Sequence, residues 1–87
     1  MELRHLRYFV AVAEEEHITR AAVRLSMQQP PLSQQIKALE QELGVTLFNR
    51  VGKRIQLNGA GKLFLSDARE ILTQAESAVK TLARARG

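Results

Sequence analysis

Gln28, Gln29, Ser33, Gln34 and Lys37 form a polar cluster in this 87-residue chain. No acid interrupts the cluster, and Glu40 and Glu42 follow only at its far end. A glutamine amide can hydrogen-bond an adenine edge in two places, a serine hydroxyl serves either base type or a phosphate, and lysine adds charge. The chemistry open to such a set is recognition of base edges and phosphates. Alone, the same residues would be an ordinary solvated face. The elements that carry them decide between the two readings.

Residues 19–44 read as two short helices joined by a tight turn, the layout in which one helix supports and the next enters the major groove of DNA. Thr19 is the expected N-cap of the supporting helix, after a break at His17 and Ile18, with Ile18 as the preceding apolar staple. Ala21, Ala22 and Leu25 form its buried face, and Ser26 to Gln29 make the turn. Pro30 and Pro31 open the next helix, where a missing N–H costs nothing. Leu32, Ile36, Leu39 and Leu43 then give it one apolar stripe, and Gly44 ends it. The absence of acids from its first two turns suits a recognition helix, whose N-terminal dipole end meets phosphates.

A first helix is predicted from about Glu2 to Glu15, with Leu3, Leu6, Phe9, Val10 and Ala13 on one face. After Gly44 the period changes. Val45, Leu47 and Phe48, then Ile55 and Leu57, flank Arg50-Val51-Gly52-Lys53-Arg54 and read as a hairpin with a basic tip, a wing. Lys53 and Arg54 are expected to face DNA, whereas Arg50 either joins them or pairs with an acid to hold the wing. Asn58 caps a last helix of about 27 residues, ~40 Å long. On it Gly61, Phe64, Ala68, Ile71, Ala75, Ala78 and Leu82 recur at heptad spacing, flanked by Leu65, Leu72 and Val79. So small a core cannot cover that length, so pairing with a second copy is expected. Tyr8, Phe9, Phe48 and Phe64 are assigned to the core.

Composition agrees. Thirteen basic residues against nine acidic give a net charge of +4, which suits a polyanion partner. Cysteine is absent, which excludes disulfides and thiolate metal sites. No apolar run approaches the ~18 residues needed to span a bilayer, and no signal peptide follows Met1, so a cytoplasmic protein is expected. His5 and His17 have no companions at metal-ligand spacing. No nucleophile-base arrangement or phosphate-binding loop is present, so neither catalysis nor a cofactor is expected.

The segments Leu3-Arg4-His5-Leu6-Arg7-Tyr8-Phe9, Ile18-Thr19-Arg20-Ala21-Ala22, Gln29-Pro30-Pro31-Leu32-Ser33, Leu39-Glu40, Glu42-Leu43-Gly44, Leu47-Phe48, Arg50 and Ala60-Gly61 run through nearly the whole chain. In this order they resemble the amino-terminal DNA-binding domain of LysR-type transcriptional regulators. The opening residues and Gln-Pro-Pro-Leu-Ser are similar to regulators of bacterial aromatic-compound degradation. The resemblance implies a mainly α fold, a winged helix-turn-helix of three helices and a hairpin, followed by a linker helix that dimerises antiparallel with its mate. It further implies tetramers and a small inducer bound by a carboxy-terminal domain, which this chain lacks, so that the chain looks like a DNA-binding fragment. Gln34 departs from the arginine of many relatives. Gln28 stands where a small residue such as serine is frequent, which weakens the expected cap, and Asn58 replaces a common threonine.

The expected organisation is therefore a DNA-binding domain over 1–58 and a dimerisation helix over 59–87. Thr19, Arg20 and Arg24 would position the DNA backbone. Gln28, Gln29, Pro30, Pro31, Ser33 and Gln34 would meet the groove, with Gln29, Ser33 and Gln34 reading bases, and Lys37 doing either. Arg50, Lys53 and Arg54 would act from the wing. Phe64, Ala68, Ile71, Leu72, Ala75, Ala78, Val79 and Leu82 would form the dimer seam. The other reading is a protein-interaction module built on the same winged helix and coiled coil, which salt-dependent duplex binding would exclude.

Overall fold

A computed structural model describes residues 1–87. The first helix, α1 (Leu3–Glu15), starts one residue later than predicted, with the extended Glu2 before it donating its N–H to His5 Nδ1 at 2.9 Å. Leu6, Phe9, Val10, Ala11 and Val12 are its buried residues. Glu16 ends it in the left-handed region at φ 52°.

The second helix, α2 (Ile18–Arg24), differs from expectation at its start. His17, not Thr19, is the N-cap, and its Nδ1 accepts the Arg20 N–H at 3.3 Å. A ring nitrogen at 17 reaches the third helical N–H, so Ile18 can enter the helix and be buried. Thr19 is left exposed within the first turn. Ser26, at φ 56°, then reverses the chain, and the Met27 N–H returns to the Ala22 carbonyl at 2.8 Å, which satisfies a carbonyl of the helix end. Leu25 is only half-buried.

The third helix, α3 (Gln29–Leu43), takes in Gln29 and so shortens the predicted turn by one residue. Gln28 makes no side-chain capping bond, in keeping with the weak cap expected of it. Leu32, Ile36 and Leu39 are buried, but Leu43 is exposed because the stripe runs past the edge of the core. Gly44 at φ 72° ends the helix, a conformation that costs glycine little.

Strands β1 (Phe48–Val51) and β2 (Arg54–Leu57) pair antiparallel, with Phe48 opposite Leu57 and Val51 opposite Arg54. Arg50, Val51 and Arg54 therefore belong to the strands, and the tip is Gly52-Lys53 alone. The wing is tied to the end of α1 by the Ile55 N–H donating to the Glu16 carbonyl at 3.3 Å.

The last helix, α4 (Gly59–Arg86), is capped as expected, Asn58 Oδ1 accepting the Gly61 N–H at 2.8 Å. It runs antiparallel to α1: Arg69 reaches Glu14, and Ala75 and Val79 lie beside Leu3 and Arg7. Fourteen buried apolar side chains form one core, with the Phe9 ring 5.4 Å from Phe48 and 5.0 Å from Phe64. Tyr8 packs partly buried against it.

This packing corrects the reading of the heptads. Ala68 is fully buried in the core of its own chain and so leaves the seam, while Phe64 and Leu72, half-buried, also pack against that core. Small residues at 61, 68 and 75 lie one above another on the helix: Gly61 admits the Leu47 carbonyl and Leu57, Ala68 is in the core, and Ala75 lies beside Leu3 and Arg7 of α1. Beyond Ala75, from Glu76 to Gly87, every residue is exposed.

Candidate nucleic-acid interface

The first two turns of α3 and the start of α2 present exposed polar residues. Thr19, Arg20, Gln28, Pro30, Pro31, Gln34 and Lys37 are exposed, and Gln29 and Ser33 are half-buried. The apolar stripe of Leu32, Ile36 and Leu39 anchors α3 in the core, so the residues between them point outward. Gln29 Nε2 donates to Ser33 Oγ at 2.9 Å, one helical turn away. Gln28, Gln34 and Lys37 have no such bond.

Ion pairs hold some of the cations and leave others free. Arg24 is held by Glu14 at 2.8 Å and Glu15 at 3.2 Å, both on α1. Arg54 pairs with Glu16 at 2.9 Å. The acid partner considered for Arg50 thus belongs to Arg54, because residues 50 and 54 stand on opposite faces of the hairpin. Arg20, Lys37, Arg50 and Lys53 make no ion pair and are exposed. Free positive charge therefore remains at the start of α2, along α3 and on the wing, as it does at Arg7 on α1 and at Lys62, Lys80, Arg84 and Arg86 on α4.

Four supporting residues were not singled out as such by sequence reasoning. Glu14 joins three helices, accepting from Arg24 on α2 and from Arg69 on α4, the latter at 2.7 Å. Those two bonds hold its carboxyl below the ordinary value of 4.5, the Arg69 bond contributing most. Glu40 accepts the Leu47 N–H at 2.6 Å and so fixes the loop between α3 and the wing. Glu16 holds the wing through both its side chain and its carbonyl. A Cβ on Gly61 would lie within the Leu47 carbonyl and 2.8 Å from Leu57 Cδ2. Glycine spacing within a helical run carried no hint of that contact, and the partners of each acid lie too far along the chain to be read from it. No three His, Cys, Asp or Glu side chains converge.

Residues 3–62 match the family model described as bacterial regulatory helix-turn-helix protein, lysR family. Among curated proteins, the chain is 59% identical over 78 residues to the uncharacterized HTH-type transcriptional regulator YnfL of Escherichia coli (strain K12), covering 90% of this chain and 26% of YnfL. It is 55% identical over 87 residues to the HTH-type transcriptional regulator BudR of Klebsiella aerogenes, covering all of this chain and 59% of that protein. Among solved structures, the CbnR DBD–DNA complex superposes with a TM-score of 0.93 at 45% identity, with both chains fully covered. The chain spans about a quarter of the length of YnfL and about six-tenths of BudR. It belongs to the lysR family of bacterial regulatory helix-turn-helix proteins.

Proposed function

From that membership we propose that the chain is the sequence-specific DNA-binding part of a transcription regulator. It reads the major groove with the first two turns of α3 and has no enzymatic role. The observation that carries this reading is the set of exposed polar residues, free of acids, at the start of α2 and in the first two turns of α3, backed by the core stripe and flanked by unpaired cations. Solved relatives bound to DNA support it. Gln29, with Ser33 bonded to it, and Gln34 read bases, with Gln28, Pro30 and Pro31 lying along the groove. Thr19 and Arg20 contact the backbone, and Lys37 contacts either. Lys53 and Arg50 reach the flanking phosphates or minor groove from the wing. Arg54 acts mainly by holding the wing against Glu16, and Arg24 leaves the set.

Residues 1–58 form the reading unit and 59–87 the linker, whose first turns also complete the core. Two copies pair through the exposed apolar residues of α4 (Ile71, Ala78, Val79 and Leu82, with Ala75 at the edge). This places two recognition helices on half-sites about one turn, ~34–36 Å, apart. A cytoplasmic location follows from the DNA partner, and no helix is long and apolar enough to cross a membrane. In a longer protein of the relatives' size, a carboxy-terminal domain would bind a small inducer and extend the assembly to a tetramer. Promoters of aromatic-compound degradation are the first candidates.

Selection of binders from random duplex DNA at moderate salt tests this. The reading expects enrichment of a near-palindrome whose affinity falls steeply with salt. Failure to retain any duplex would replace it with the protein-interaction module.

A further inference from the structure

Of the four glutamines at 28, 29, 34 and 35, only Gln29 has its side chain held, by the 2.9 Å bond to Ser33 Oγ. Gln28 and Gln34 are exposed and make no side-chain bond. We infer that Ser33 is a positioning residue for Gln29, and that the pair as a unit specifies an adenine in the major groove. This inference rests on the DNA-reading role proposed above.

A glutamine amide has two N–H donors and one carbonyl oxygen. With one N–H given to Ser33, a single donor and the acceptor Oε1 remain. Adenine offers one acceptor at N7 and one donor at N6, so both remaining groups find a partner. Guanine offers two acceptors and would leave Oε1 without a donor; cytosine offers only a donor and would leave the N–H unmet. Thymine offers only an acceptor beside its methyl group. The Ser33 bond therefore does two things. It removes the rotamer freedom that an unheld glutamine would lose on binding, and it removes the second donor that would let the amide adapt to other edges. Both residues are half-buried, and the bond between them is part-buried.

The decisive experiment compares duplex pools selected by the wild-type chain, Gln29→Ala, Ser33→Ala, the double variant and Ser33→Thr, with thermal melts confirming that each is folded. The inference expects one A·T position in the selected half-site to be randomised by both single variants, with a loss of discrimination there of ~5- to ~150-fold. The double variant should lose no more than Gln29→Ala alone, and Ser33→Thr, which keeps the hydroxyl, should restore the preference. If Ser33→Ala disturbs a position that Gln29→Ala leaves intact, or leaves every position unchanged, Ser33 does not act through Gln29 and the inference falls while DNA reading stands. If the wild-type chain itself enriches no sequence, the DNA-reading role falls and takes this inference with it.

Discussion

Gly61→Ala tests whether the start of α4 is fixed by close backbone approach or only by its cap. On helix propensity alone the change stabilises, by about 1 kcal/mol, because alanine is the better helix former and limits the unfolded chain. The tertiary site argues the opposite way. The added methyl would overlap the Leu47 carbonyl oxygen and press on Leu57 Cδ2 at 2.8 Å. The carbonyl cannot rotate aside, since it accepts the Asn58 N–H at 3.0 Å. Forcing α4 outward also strains the 2.8 Å bond from the Gly61 N–H to Asn58 Oδ1. Overpacking of this kind costs ~1–3 kcal/mol, and each weakened bond costs ~1 kcal/mol more. Net destabilisation of ~2–4 kcal/mol is therefore expected, a fall in Tm of at least ~8 °C for a domain of this size. Denaturant and thermal unfolding measure it, with Gly59→Ala as the control. A Cβ at Gly59 meets nothing within 4 Å, so that variant should be neutral or slightly more stable. A Gly61→Ala protein with unchanged or raised Tm would refute the close-approach argument.

The depressed pKa of Glu14 means that its ion pairs add stability above pH ~4.5 and that this share is lost as pH falls through the folded-state value. Melting curves from pH 7 to 3 should show the decline, and Glu14→Gln should remove that portion, worth at most ~1 kcal/mol after solvent screening. Glu40→Ala should cost ~1–3 kcal/mol by leaving the Leu47 N–H without its acceptor, and hydrogen exchange at Leu47 should accelerate. Lys53→Ala should weaken binding to every duplex alike and lower the salt slope by about one, read by titration at several salt concentrations. Arg54→Ala should in addition loosen the wing, speeding amide exchange at Ile55. Leu82→Glu should shift the chain from dimer to monomer in sedimentation without lowering its Tm as a monomer, since Leu82 is 66% exposed.

Much of the fold could be read along the chain because its causes are local. The stripe Leu32-Ile36-Leu39, the prolines of the first turn, Gly44 at φ 72° and the Asn58 cap act within a turn or two of their own positions. The face holding Gln29, Ser33, Gln34 and Lys37 follows from the same periodicity, because burying one side of a helix exposes the other. Boundaries were less secure. His17 displaced Thr19 as cap because the outcome depended on Ile18 finding cover in the core.

The amino-acid order thus determined the element types, the basic character and the polar face of α3. Only the tertiary structure decided how residues of similar chemistry divide their roles. Arg24 and Arg54 look like Arg20 and Arg50 in sequence, yet the former are held by acids on the end of α1 and the latter are not. Phe64 and Ala68 share a heptad pattern with Ala78 and Leu82, but the core covers only the earlier part of α4. Gly61 sits in a helix like any other residue until Leu47 passes against it. Ion pairing, burial and close approach depend on contacts between distant segments, and distance along the chain says little about which of those segments will meet.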